Sequence, residues 1–144
     1  MKSTGRILSL RGTSVGTTAG GLNSEKVFTY EGTDLSRAWK IKSIDVIDYN
    51  DPIGSEAEGI IVQTMERYQT RFDLGNNQVI GFVGSYASEK SVLDPNHVIV
   101  ENLWISNIDT MPANYLIILE ELSITPTENI IHRIKNRGQN FSVG

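Results

Sequence analysis

From Lys26 onward, apolar residues recur in short alternating or continuous runs, separated by clusters of Gly, Pro, Asn and Asp. This period-2 pattern with turn residues between runs predicts β-strands, repeated too often for an α/β chain. Val27-Phe28-Thr29-Tyr30 is the first run, closed by Glu31-Gly32. In the next, from Ala38 to Tyr49, Trp39 and Ile41 share one face while Ile44 and Val46 have the opposite parity. A bulge near Lys42-Ser43 would return all four to one core, because a single extra residue resets the alternation.

After a loop from Asn50 to Gly59, rich in Pro, Gly and acids, the run from Ile60 to Met65 predicts another strand. Gly75-Asn76-Asn77 reads as a turn joining hairpin arms at 68–74 and 78–83, and Gly81 and Gly84 imply a bend or a close backbone approach in the second arm. A loop at 85–96 ends in Asp94-Pro95-Asn96 and launches a strand from His97 to Ile105. The last strand, Asn114 to Ile124, is apolar on both faces through Tyr115-Leu116-Ile117-Ile118-Leu119. Such a strand lies centrally in a sheet, or has one face covered by a helix or a subunit.

The period changes at Thr125-Pro126-Thr127-Glu128, which combines an N-cap, proline at the first helical position and a carboxylate three residues after the cap. A helix over 125–137 follows, stopped by Gly138, with Arg133, Lys135 and Arg137 near its C-terminus. Ile130, Ile131 and Ile134 form its apolar stripe. So short a helix is marginal alone, so the stripe is expected to dock, on its own sandwich or on a neighbour. His132 falls on the polar side.

Residues 1–24 read differently, since Gly, Ser and Thr dominate and Ile7, Leu8 and Leu10 are the only apolar cluster. That composition predicts a flexible arm unless another surface holds it, with the patch at 7–10 able to pair as a short edge strand in its own domain or in a neighbour's sheet. The expected division is an arm at 1–24, a sandwich at 25–124, a helix at 125–137 and a tail at 138–144. The fold class is all-β: a single jelly-roll or β-sandwich of seven or eight strands, with a flexible N-terminal arm and a short C-terminal helix.

Composition narrows the chemistry. A chain of 144 residues fits one domain, and the absence of cysteine excludes disulfides, thiolate metal sites and a cysteine nucleophile. Neither a signal peptide nor an apolar run of about 20 residues is apparent, so a soluble chain with no membrane span is expected. The net charge of -4 is uneven. Lys2, Arg6 and Arg11 at one end and Arg133, Lys135 and Arg137 at the other are basic, whereas all 17 acids fall between Glu25 and Glu128. Basic ends on an acidic body draw one molecule's termini onto another's body or onto a polyanion, or are ordinary solvated surface.

Motifs for catalysis are missing: there is no G-x-S-x-G elbow and no phosphate-binding G-x-x-x-x-G-K-[ST]. His97 and Glu101 would share a strand face, but a jelly-roll metal enzyme of the cupin type needs His-x-His, and Ile99 stands at the second position. Asp48, Asp51, Glu56 and Glu58 are candidate calcium ligands, although Pro52 and Ile53 break an EF-hand spacing and a solvated acidic loop is the alternative. Trp39 and Trp104 are either sugar-stacking platforms or core residues. No enzyme activity and no cofactor are expected.

In overall plan the chain resembles small single-jelly-roll structural proteins of icosahedral viruses, of coat or penton type. The resemblance rests on the arm, sandwich and helix order, and on the stretch from Leu93-Asp94-Pro95-Asn96-His97-Val98-Ile99-Val100 through Tyr115-Leu116-Ile117-Ile118-Leu119. It implies a virion protein, soluble before assembly, that associates with itself and with other capsid proteins through sandwich faces and swapped termini. Ile7, Leu8, Leu10, Ile130, Ile131 and Ile134 are then the assembly residues. The arm is sparsely basic, which implies at most weak nucleic-acid binding. A non-enzymatic carbohydrate- or ligand-binding sandwich is the alternative.

Overall fold

A computed structural model describes residues 1–14, 24–29, 35–48, 60–64, 75, 78–83, 92–107 and 112–136, excluding the side chains of Ile47, Asp48 and Asn136. The strands are β1 (Lys2–Ser14), β2 (Ser24–Thr29), β3 (Arg37–Asp48), β4 (Ile60–Gln63), β5 (Val79–Val83), β6 (Val92–Leu93), β7 (Asn102–Asn107) and β8 (Ala113–Ser123), followed by helix α1 (Pro126–Asn136). They form two antiparallel sheets, ordered β1-β8-β3 and β2-β7-β4-β5-β6.

The pairing is that of a long hairpin rolled up on itself. β1 pairs with β8, β2 with β7 and β4 with β5. The remaining nested pair joins β3 to the segment at Ile99, where Trp39 N–H donates to the Ile99 carbonyl at 2.8 Å and Ile99 N–H donates back at 2.6 Å. β8 against β3 and β7 against β4 complete the sheets. This is a jelly-roll, one of the architectures by which all-β chains manage their sheet edges.

The bulge in β3 is present. Its register against β8 shifts between Ile41 and Ser43, so Trp39, Ile41 and Ile44 are all buried and Val46 packs against them. β8 lies in the middle of its sheet, as its two apolar faces require. The inward rows Leu8–Leu119–Ile41 and Leu10–Ile117–Ile44 meet Ile60, Val62, Ile80, Leu103 and Ile105 of the facing sheet. Trp39 closes this core edge-to-face on Phe28, with ring centroids 5.6 Å apart.

Two expectations are corrected. Residues 2–14 are not a flexible arm: the patch at 7–10 pairs as an edge strand in its own domain, the other course open to it. The strand is long rather than short, so the sandwich begins at Lys2 rather than at residue 25. A tally of Gly, Ser and Thr ignores what the strand lies beside: β8 supplies backbone partners along its length, and Leu8 and Leu10 alternate into the core. Gly5, at φ 81°, takes up the register shift between Ser3 and Ile7 in a conformation that side chains disfavour. Second, the strand expected from His97 to Ile105 is interrupted; 97–101 contributes only the bridge at Ile99, and regular pairing starts at Asn102. The expected hairpin arm at 68–74, the rest of the arm at 15–23 and the tail at 138–144 lie outside the described residues.

Candidate functional site

Helix α1 is positioned by its first turn and one polar face. Thr125 Oγ1 accepts from the Glu128 N–H at 3.2 Å, and Glu128 Oε1 accepts from the Thr125 N–H at 3.1 Å, the reciprocal capping box. Hydrogen bonding from the Thr125 backbone N–H, then from its side chain, holds the Glu128 carboxyl below its ordinary range. One helical turn on, Asn129 is fully buried and donates from Nδ2 to the Arg37 carbonyl at 3.1 Å. Its Oδ1 accepts from Arg133 Nε at 2.6 Å, and Arg133 Nη1 reaches Glu101 Oε1 at 2.7 Å. A continuous polar chain thus ties the helix to β3 and to the segment before β7.

His132 shares this face; burial, then the nearby Lys135 charge, push its pKa below the ordinary value against the opposing pull of Glu128. At 100° per residue, positions 129, 132 and 133 face the sandwich, and 130, 131 and 134 face away. Ile130, Ile131 and Ile134 are accordingly 50%, 48% and 36% exposed. Of the two dockings expected for the stripe, the one on its own sandwich is not made: the helix is held by its polar side, and its apolar side is open.

The six expected assembly residues therefore divide. Leu8 and Leu10 pack into the core, because their parity on β1 points inward, and are removed from the assembly set. Ile7 has the opposite parity and is 46% exposed on the outer face of the β1-β8-β3 sheet. That face holds an open depression of about 500 Å³, whose lining includes Arg11, Thr13, Asp45, Asn114 and Leu116. On the inner side the Tyr115 ring lies against Gly12, where a Cβ would come within 2.8 Å of its hydroxyl. Burial, then the charge of Glu25, raise the Tyr115 pKa.

The other sequence candidates scatter. His97 and Glu101 do not share a strand, and Glu101 is engaged by Arg133. Asp48 ends β3, while Asp51, Glu56 and Glu58 lie outside the described residues, among which no group of three or more His, Cys, Asp or Glu is placed to hold a metal. Trp39 is core; Trp104 is half-buried, with Lys26 Nζ 5.8 Å from its ring centroid.

Sequence reasoning missed Glu121. Its buried carboxylate meets Arg6 at 3.4 Å, Arg37 at 3.6 Å and the Thr4 hydroxyl at 2.9 Å, stapling β1 and β3 to β8. A charged residue at an inward parity position was the available signal. Neither family models, curated proteins nor solved structures match this chain.

Proposed function

We propose that this chain is a structural building block, a jelly-roll protomer that assembles with copies of itself into a symmetric shell. A coat or penton-type virion protein is the concrete form the resemblance implies, acting by assembly alongside other shell proteins and without catalysis. One observation carries the reading: an anchored helix presents Ile130, Ile131 and Ile134 to the exterior while its polar face holds it to the sandwich. An apolar stripe fixed in this way is costly in water and is relieved when a second surface covers it. Closed symmetry lets one such contact be reused around a ring or shell. Swapped N-termini drop out of the mechanism, since β1 completes its own sheet. Arg6 is engaged by Glu121, which further reduces the charge at this end for binding a genome.

Replacing all three isoleucines by serine tests this. The expected result is loss of higher-order assemblies by light scattering, with the circular dichroism of the protomer retained. Assemblies unchanged in mass and shape contradict the proposal.

The half-buried Trp104 on the five-stranded sheet favours a second reading, a carbohydrate-binding sandwich. Its mark would be glycan binding lost on Trp104→Ala.

A further inference from the structure

The outer face of the β1-β8-β3 sheet has its own charge pattern. Register places Arg11, Leu116 and Asp45 in one row across the three strands, and Ser9, Ile118 and Ser43 in the next. Leu116, 37% exposed, and Ile118 form an apolar ridge on the central strand, flanked by small or charged residues. Neighbouring strands lie about 4.8 Å apart, so Arg11 and Asp45 stand roughly 10 Å apart on opposite sides of the ridge. Both are exposed, and among the described residues neither has an ion-pair partner. Helix α1 is anchored at Arg37 and Glu101, the opposite end of the sheet from Arg11 and Asp45.

We propose that this face is an isologous interface between two copies of the chain, with the two-fold axis running parallel to β8 just above the outer face of the sheet. Rotation by half a turn about that axis keeps each residue's position along the strand and exchanges the two flanks of the sheet. Leu116 and Ile118 then meet their own counterparts, Arg11 of each copy lies over Asp45 of the other, and both ion pairs form at once. The central row is neutral in each copy, so the acidic body does not oppose contact there. At the next charged row Glu120 lies between Lys40 at 3.6 Å and Lys42 at 3.9 Å and brings its own counter-charges. Symmetric, self-complementary pairing of this kind is what a two-fold interface requires. The inference shares only self-association with the shell reading, and it stands on the sheet face rather than on the helix.

The test is a charge exchange, read by sedimentation velocity on the full chain in an Ile131→Glu background, which disables the helix stripe. The parent background is expected to form a dimer. Arg11→Asp alone and Asp45→Arg alone place like charges at both contacts and weaken dimerisation by roughly a hundredfold or more. An equimolar mixture of the two single variants restores a dimer, because every contact then joins opposite charges. The double variant R11D/D45R does the same within one chain and covers the case in which a single variant folds poorly. A monomeric parent background, single variants that dimerise as it does, or a mixture and double variant that both stay monomeric overturn the proposal. Dimers in a protein whose unaltered chain never forms larger assemblies would instead support this interface and sink the shell.

Discussion

Gly81 shows how closely the second sheet is fitted. A Cβ there would lie 2.7 Å from the Val92 carbonyl oxygen, a backbone atom that moves only if the β5–β6 pairing moves with it. Gly81→Ala is expected to cost about 1–3 kcal/mol, seen as a lower denaturant midpoint with an unchanged slope. His132 makes a second residue-scale prediction. Its folded pKa is depressed, so the unfolded chain takes up the proton first as pH falls. Its contribution to stability is constant above about pH 6.5, the unfolded value, and declines below it until the folded pKa is passed. Urea titrations across that range should show the decline in the parent chain and a flatter profile in His132→Gln. Glycine 81 was legible as a close-approach position, because a glycine inside an apolar run has few other uses. The Glu121 staple was not, since nothing local marks Thr4, Arg6 and Arg37 as neighbours of a residue more than eighty positions away.

Among the elements, β3 and α1 were readable because their signals are local. A parity change inside one apolar run demands a bulge, and Thr125 with Glu128 forms a cap irrespective of the rest of the fold. β1 was only partly readable: the apolar patch at 7–10 allowed a short edge strand, but the length of a polar strand is owed to the partner beside it. Its partner β8 exposes apolar side chains on both faces and unpaired backbone on one edge if β1 is missing. A chain beginning at residue 15 is therefore expected to lose cooperative unfolding or to aggregate, whereas a flexible arm could be removed with little effect; thermal unfolding and light scattering distinguish the two. The direction of the α1 stripe was equally hidden. Amphipathic patterning points apolar faces inward, but here the bonds of Asn129 to the Arg37 carbonyl and of Arg133 to Glu101 decide the orientation.

At the scale of the molecule, the described residues form a sandwich with a packed core that leaves the α1 stripe and the Leu116–Ile118 ridge uncovered on its outside. The all-β sandwich was legible from the rhythm of runs and turns, which counts strands and favours antiparallel neighbours. The order of the strands in the two sheets was not, since it is set by pairing between residues far apart in the chain. Which apolar residues reach the surface was only half legible: Ile7, Ile130, Ile131 and Ile134 are exposed, whereas Leu8 and Leu10 pack against the core. Ile130, Ile131, Ile134 and the Leu116–Ile118 ridge belong to the exterior, and burying them between copies contributes about 25 cal/mol for each Å² removed from water. The most direct measurement is the native mass of the purified full chain over a range of concentrations, with images of whatever forms. Assemblies of discrete, symmetric size that grow with concentration are predicted; a strict monomer at every concentration and salt would contradict the account.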